Sequence, residues 1–283
     1  MSHSDPSTTQ SLVCMEIWGG NQATNRTVKT PGLDLWVYSR PHEDVEGGGD
    51  VHYVSLCGGG RITRFVLADV SGHGTTVAEL AKSLRLLMRK NINRKDQTRF
   101  VQSLNREFSE LSKLNRFATA VVATYLTGGD TLTVCNAGHP RPLYYRAGTS
   151  SWAVLRHDET LADGPADLPL GILEETGYTQ VQLHLGPGDL VLFYTDALTE
   201  AEAPDGQRLN EEGLIGILQK LDGTKPSEIP SALIAALDQF RGGQPADDDM
   251  TFLLLHHNAG PAQPPGILES FRVFAQVLGL KSV

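Results

Sequence analysis

The residues best suited to chemistry lie in four short acidic motifs that are far apart in the chain. The motifs are Gly48-Gly49-Asp50, Asp69-Val70-Ser71-Gly72-His73-Gly74, Thr195-Asp196 and Asp247-Asp248-Asp249-Met250-Thr251. Three of them end an apolar run or lie beside one, where a strand would bring a side chain to a shared edge. Carboxylates that converge on one point repel each other unless a cation lies between them, and oxygen ligands favour Mg²⁺ or Mn²⁺ over zinc. The motifs therefore predict a metal-dependent enzyme.

Each motif also has a structural interpretation when it is taken alone. The segment Gly48-Gly49-Asp50 is compatible with a plain turn, and Ser71 is compatible with a cap at the start of a helix. Asp196 is a second candidate cap, and the run 247–249 is compatible with a solvated loop. However, a buried strand that opens with three aspartates is costly unless a cation is bound. The four motifs together therefore favour the metal site over four unrelated turns.

The composition is that of an ordinary globular protein. The chain has 283 residues, of which 40% are hydrophobic and 20% are charged, as is usual for such domains. Its net charge of −9 argues against a nucleic-acid partner, because basic surfaces bind phosphate backbones. The cysteines, Cys14, Cys57 and Cys135, show no paired spacing, which predicts reduced thiols. Since no apolar stretch approaches the roughly 20 residues of a membrane span and the N-terminus lacks a signal-peptide pattern, we expect a cytoplasmic protein with no membrane partner.

The hydrophobic pattern predicts groups of strands separated by pairs of helices. Val51–Cys57 and Ile62–Val70 are expected to form a hairpin around a glycine-rich turn. Apolar residues at three- and four-residue spacing predict helices at 74–93 and 96–114. Two more helices are expected near 209–221 and 226–240. The remaining predicted strands are Ala118–Leu126, Thr131–Asn136, Pro142–Tyr145, Val181–Leu185, Leu190–Thr195 and Met250–His256.

The order of these elements predicts an α+β fold, because strands are grouped and helices are segregated from them. The simplest packing is a core of two sheets with helices on each outer face. Residues 1–30 are expected to form a partly disordered N-terminal extension. Residues 147–176 are predicted to be mainly loop, and 259–283 are predicted to be a C-terminal tail with a short amphipathic helix.

The motifs acquire a more specific meaning when they are taken in order. The ordered segments are GGD, DVSGHG, CNAGHPRPLYY, LPLGI, LVLFYTDALTEA and DDDMTFLLL. This series resembles the bacterial phosphatases of the SpoIIE and RsbU type, which belong to the metal-dependent, protein phosphatase 2C-like serine/threonine phosphatases. The resemblance covers roughly residues 33–257 and implies a catalytic domain at 31–258. It also implies a four-layer α-β-β-α sandwich with two mainly antiparallel sheets.

The resemblance implies a site for two Mn²⁺ or Mg²⁺ ions. Asp50 and Asp69 would contact or bridge both ions, and the backbone carbonyl of Val70 would be a further ligand. Asp196 and Asp248 would complete the site. Asp249 matches a neighbouring position that is less often a direct ligand in the family.

The resemblance also implies a reaction and a class of substrate. A water held between the two metals would attack the phosphorus of a phosphoserine or phosphothreonine directly, without a covalent enzyme intermediate. The substrate would be a phosphoprotein, such as an anti-sigma-factor antagonist of the STAS type in a partner-switching pathway, and a homodimer is possible. Two alternatives stay open at this point: an interaction module of the same fold without turnover, and a phosphoesterase that acts on small molecules.

The sequence departs from the family pattern in ways that raise questions about single residues. Tyr53 stands where an acidic residue is common, but this position is not usually a direct ligand, so metal binding is expected to be retained with an altered affinity. Ser71 stands where eukaryotic relatives carry a histidine, and His73 is either a proton donor or a loop-stabilising residue. For His139, a structural role and a contact to the substrate or to a metal ligand are both open. Arg40 is a candidate phosphate contact near Asp50.

Overall fold

The chain folds into two stacked sheets with helices outside them. A computed structural model describes residues 9–11, 17–42, 47–57, 60–72, 75–91, 96–111, 116–156 and 166–260. The strands are β1 (Thr9–Ser11), β2 (Ile17–Gly20), β3 (Thr24–Thr30), β4 (Leu33–Arg40), β5 (Asp50–Cys57), β6 (Ile62–Val70), β7 (Ala118–Leu126), β8 (Thr131–Ala137), β9 (Leu143–Arg146), β10 (Ser151–Val154), β11 (Val181–His184), β12 (Leu190–Tyr194) and β13 (Met250–His257). The helices are α1 (Thr75–Asn91), α2 (Gln97–Leu111), α3 (Asn210–Leu218) and α4 (Ile229–Phe240), with a short 3-10 helix at Asp196–Leu198.

The strand order confirms two mainly antiparallel sheets. The first sheet has seven strands in the order β1-β3-β4-β13-β12-β9-β10. The second sheet has six strands in the order β11-β8-β7-β6-β5-β2. The pairing of β1 with β3 is parallel, and the other strand pairs of the described sheets are antiparallel.

Three apolar layers hold the four layers of the sandwich together. The first lies between the sheets and includes Val37, Leu67 and Phe193. The second packs α1 and α2 against the outer face of the second sheet, and the third packs α3 and α4 against the outer face of the first sheet. Because side chains alternate across a strand, each sheet supplies residues to two layers. The predicted α-β-β-α sandwich is therefore confirmed.

Several predicted elements match the structure closely. The hairpin of β5 and β6 is paired from Asp50 opposite Asp69 to Cys57 opposite Ile62. The helices predicted at 209–221 and 226–240 correspond to α3 and α4. At the start of α2, the Asp96 carboxylate accepts a hydrogen bond from the backbone N–H of Arg99 at 3.2 Å, as expected of a helix cap.

The strands near the N-terminus were not predicted. Strand β3 pairs with β4 from Thr24 opposite Ser39 to Thr30 opposite Leu33. A boundary at residue 31 would therefore divide a hairpin, and part of the predicted extension belongs to the sandwich. Strand β3 escaped prediction because it is mostly polar and only two of its residues, Val28 and Thr30, are buried.

Two further expectations concern the loop at 147–176 and the tail. The loop contains β10, a short edge strand paired with β9, so this part of the loop prediction needs correction. Strand β10 has one buried residue, Trp152, too weak a pattern to be recognised in the sequence. The amphipathic helix predicted around 267–280 lies outside the described residues. Among the helices that are described, none is both long enough and apolar enough to cross a membrane.

Candidate metal centre

One end of the core between the two sheets is polar. In β5, Val54 and Leu56 belong to this core, and Asp50 lies on the same face because it is separated from Val54 by an even number of residues. On the neighbouring strands, the same alternation places polar side chains at the inward positions of this end. These inward polar positions are Ser39, Asp50, Asp69, Thr119, Thr195 and Thr251.

Two of the predicted ligands face each other on the second sheet. Asp50 begins β5, Asp69 is the penultimate residue of β6, and the two residues are directly opposite in the strand register. Asp50 is only 3% exposed. Residues opposite one another in a sheet have Cβ atoms about 4.5–5.5 Å apart. The hairpin therefore brings two carboxylates together at the polar end of the core.

The other two predicted carboxylate ligands come from the first sheet. Strand β12 ends at Tyr194, and Asp196 opens the 3-10 helix that follows it. Asp248 lies just before β13, which is the antiparallel neighbour of β12. The end of one strand and the start of the other therefore lie at the same edge. We call Asp50, Asp69, Asp196 and Asp248 the site aspartates.

A threonine connects the two sheets at this edge. The hydroxyl of Thr195 donates a hydrogen bond to Oδ2 of Asp50 at 3.0 Å. The hydroxyl oxygen of Thr195 accepts the backbone N–H of Thr251 at 3.0 Å, and the Thr251 hydroxyl is 2.9 Å from that of Ser39. Sequence analysis did not predict these roles. The available signal was that each threonine lies next to an acidic motif, in Thr195-Asp196 and in Met250-Thr251.

Asp249 organises the loop that carries Asp50. Its carboxylate accepts backbone N–H groups from His42 at 2.6 Å, from Gly49 at 2.5 Å and from Asp50 at 3.4 Å. A Cβ atom at Gly48 would lie 2.1 Å from Oδ2 of Asp249. Only glycine therefore lets the chain approach this carboxylate so closely.

The electrostatics of the site favour a cation. Burial and the charge of Asp69 raise the pKa of Asp50 well above its usual value. Burial, followed by the charges of Asp196 and Asp248, raises the pKa of Asp69 to about 7. Burial is also the main cause of the raised pKa values of Asp196 and Asp248. The cost of ionisation is greatest at the buried Asp50 and falls toward Asp248, which is exposed, and a proton or a cation offsets it.

The donor set fits divalent ions that prefer oxygen. Within the described ranges, no three Asp, Glu, His or Cys side chains lie close enough together to form a ready-made ion site. If the site aspartates moved close enough to share an ion, their mutual repulsion would rise unless the ion offset their charge. Gly49 approaches the Val70 carbonyl closely, because a Cβ at Gly49 would lie only 3.0 Å from its oxygen. Four carboxylates and a carbonyl suit Mg²⁺ or Mn²⁺.

The residues that raised questions in the sequence lie in different surroundings. Tyr53 is buried on the opposite face of β5 from Asp50, within the layer under α1, and Arg85 lies 5.4 Å from its ring centre. It therefore points away from the site aspartates. Arg40 ends β4 and interacts with the hydroxyl of Tyr38. His139 is buried beside Thr119, whereas His73 lies outside the described residues.

Two cavities flank Asp196. The first has a volume of about 470 Å³ and is lined by Thr119, His139, Arg141 and Arg208, among others. The second has a volume of about 670 Å³, and its lining includes Arg208, Arg241 and Asp248. Arg208 lines both cavities and forms an exposed ion pair with Glu200 at 3.4 Å. The edge that carries the acidic groups is therefore open on two sides.

Comparisons with known proteins agree with this architecture. A protein-family model described as stage II sporulation protein E (SpoIIE) matches residues 59–258, which is most of the chain. The chain is also similar to phosphoserine phosphatase RsbU of Bacillus subtilis (strain 168), with 26% identity over 222 residues. That match covers 73% of this chain and 62% of RsbU, so the chain spans less than two thirds of the length of this relative.

Solved structures with low sequence identity have the same fold. The structure of the RsbU and RsbW domains of a Mycobacterium tuberculosis protein has a TM-score of 0.68 at 23% identity, and the match covers 94% of this chain and 70% of that one. The PP2C phosphatase domain of SpoIIE from Bacillus subtilis, solved with a fragment of its regulatory domain, has a TM-score of 0.66 at 17% identity. The match covers 86% of this chain and 71% of that one.

Proposed function

The chain belongs to the SpoIIE family, and we propose that it is a metal-dependent phosphatase that acts on phosphoserine or phosphothreonine in a protein substrate. The observation that carries this proposal is the meeting of the four site aspartates at one end of the sandwich, where their pKa values are all raised. Like charges that converge on one edge are stabilised by divalent cations. Hydrolysis of a phosphate ester is a reaction that such a centre supports.

We assign two Mn²⁺ or Mg²⁺ ions to the site aspartates and the backbone carbonyl of Val70. When bound, these ions would activate a water molecule for attack on phosphorus and offset the charge that develops on the phosphoryl oxygens. The residues around the site prepare its ligands. Thr195 orients Asp50, and Asp249 fixes the loop before it. Gly49 lets the loop approach the Val70 carbonyl closely.

The cavities beside Asp196 provide space for the phosphorylated side chain and its neighbours. Because Arg208 lines both cavities, its guanidinium group can interact with acidic groups of the substrate on either side. The lining also contains Arg141, which forms a paired interaction with Glu211 through two nitrogen atoms. These contacts support a polar substrate surface rather than an apolar ligand.

The class of substrate follows from the relatives. RsbU, to which the chain is similar, is named a phosphoserine phosphatase, and one solved relative combines RsbU and RsbW domains. We propose that the substrate is a phosphoprotein of a partner-switching pathway, of the STAS-type anti-sigma antagonist class. Because the reaction occurs at phosphorus, the carboxylates of Asp50 and Asp69 are equally suited to phosphoserine and to phosphothreonine.

Phosphate release in the presence and absence of Mn²⁺ tests the proposal. Wild-type protein should release phosphate from a phosphorylated STAS-domain protein and, more slowly, from p-nitrophenyl phosphate. Asp69→Asn should lower both rates by at least about 10³-fold, a loss typical for removal of a group essential to the chemical step. Asp222→Asn is the matched control, because Asp222 is exposed and lies between α3 and α4.

Other outcomes separate the alternative functions. Release that is independent of divalent metal would overturn the proposal. A wild-type protein that binds the STAS-domain protein without any metal-dependent release would instead be an interaction module. Faster turnover of the small ester than of the phosphoprotein, at saturating metal, would indicate a small-molecule phosphoesterase.

A further inference from the structure

His139 contacts the strand that carries a predicted ligand. Its Nδ1 atom is 2.8 Å from the hydroxyl of Thr119. Thr119 lies on β7 directly opposite Asp69 on β6. His139 is 5% exposed, so this contact is shielded from water. The histidine is therefore separated from Asp69 only by the width of one strand pair.

The other side of the ring is close to the first sheet. His139 and Tyr194, which lies two residues before Asp196, line the same cavity. The Nε2 atom of His139 is buried and has no hydrogen-bond partner among the described residues. Burial lowers the pKa of His139 to about 3, against the opposing effect of the Tyr194 backbone. The ring is therefore neutral and can both accept and donate a hydrogen bond.

The loop around His139 is held rigidly. The backbone N–H of His139 donates to Oδ1 of Asn136 at 2.7 Å, and Nδ2 of Asn136 donates to the His139 carbonyl at 2.8 Å. Gly138 has a positive φ of 68°, and a Cβ there would lie 2.4 Å from Pro169. The ring position is therefore set by the backbone rather than by the site that it faces.

We propose that His139 is a positioning residue that fixes Asp69 on the second sheet relative to Asp196 on the first sheet. The inference rests on the proposed function, because it matters only if these aspartates bind metal together. Ligands that come from two separate sheets keep their spacing only if something connects the sheets beside them. His139 contacts Thr119, opposite Asp69, rather than a ligand itself, so the change of about 10–100-fold in metal affinity that follows loss of a direct contact to a ligand is an upper bound.

A second histidine offers a matched control. His257 ends β13 on the first sheet, and its Nε2 atom is 3.0 Å from Oδ1 of Asp130 in the turn between β7 and β8 of the second sheet. It is 2% exposed. His257 therefore also connects the two sheets as a buried histidine, but it lies at the opposite end of β13 from Asp248.

The test compares His139→Asn with His257→Asn. Mn²⁺ affinity is measured by electron paramagnetic resonance of the free ion, which does not depend on turnover. His139→Asn should weaken Mn²⁺ binding by about tenfold. His257→Asn should leave the Mn²⁺ affinity unchanged, even if its melting temperature falls.

Thr119→Val provides a second, milder variant that removes only the hydroxyl partner. It should weaken Mn²⁺ binding in the same direction, and its effect should not add to that of His139→Asn because both changes break one contact. Unchanged Mn²⁺ affinity in both variants would overturn the inference and leave a merely structural histidine. If wild-type protein binds no Mn²⁺, the proposed function itself fails, which is a separate result.

Discussion

Thr195 on the first sheet donates a hydrogen bond of 3.0 Å to Asp50 on the second sheet. The two residues are 145 positions apart in the chain. The bond connects the segment that leads into Asp196 with the first residue of β5, so it joins two halves of the predicted metal centre. The Thr195 hydroxyl also accepts the N–H of Thr251 and lies 3.2 Å from the Thr251 carbonyl, so its position is held from the first sheet.

Replacing Thr195 by valine should therefore weaken the metal site without disrupting the core. We expect Thr195→Val to reduce Mn²⁺ affinity by about tenfold, since it removes the donor that orients a ligand. Calorimetric titration with Mn²⁺ measures this change. Thr131→Val is a suitable control, because its hydroxyl bonds to the Gly129 carbonyl in an exposed turn. Equal affinities in wild type and Thr195→Val would show that Asp50 needs no such support.

Asp50→Asn should have opposite effects on activity and on metal-free stability. Asp50 is buried, and burial and Asp69 both raise its pKa, so its charge opposes folding when no cation is bound. At pH 8 in EDTA, the amide should raise the melting temperature by a few degrees, at about 2–4 °C per kcal/mol for a chain of this size class. Phosphatase activity should be lost. A lower melting temperature in EDTA would contradict this account of the site.

Metal affinity should increase with pH. The pKa of Asp69 is about 7, raised by burial and by Asp196 and Asp248, so below pH 7 a cation must displace a proton from it. The apparent Mn²⁺ affinity should rise by up to about tenfold per pH unit from pH 5.5 to 7 and then level off. Titrations at constant ionic strength test this. An affinity that is flat across this range would show that Asp69 binds no metal.

The same pKa shift determines how the metal-free protein responds to pH. The folded-state pKa of Asp69, about 7, lies above the usual value of 3.8, so the folded state holds the proton more tightly than the unfolded state. Its contribution to stability is therefore complete below about pH 4 and is lost as the pH rises through 7. Saturating Mn²⁺ should reverse the sign of this pH-dependent contribution to stability. Denaturant unfolding, with Asp69→Asn as the reference protein, can measure the change.

Gly48→Ala should disturb the loop that carries Asp50. The added methyl group would meet Oδ2 of Asp249 at 2.1 Å, and this carboxylate accepts the N–H groups that hold the loop. We expect a loss of about 1–3 kcal/mol in unfolding free energy and weaker Mn²⁺ binding. Gly128→Ala is the control, because a Cβ at Gly128 meets no atom within 4 Å. Equal stability of the two variants would argue against the role assigned to Asp249.

The sequence predicted the sandwich because its strands and helices are strongly patterned. Strands β5 and β6 contain long apolar runs, and α1 carries an apolar stripe, so local periodicity was sufficient to identify them. Strands β3 and β10 were missed because few of their residues are buried. Their place in the first sheet depends on pairing with β4 and β9, which local periodicity does not reveal.

The sequence by itself also predicted which carboxylates belong to one site, since Asp50, Asp69, Asp196 and Asp248 lie in motifs whose order is specific. The sequence did not determine which neighbouring residues hold these carboxylates in position. The bond from Thr195 to Asp50 depends on how the two sheets stack, and the contact of His139 with Thr119 depends on how the segment after β8 folds back on β7. Such contacts join residues that are distant in the chain, and their distances are set by packing of the apolar layer between the sheets. Only the tertiary structure could therefore decide them.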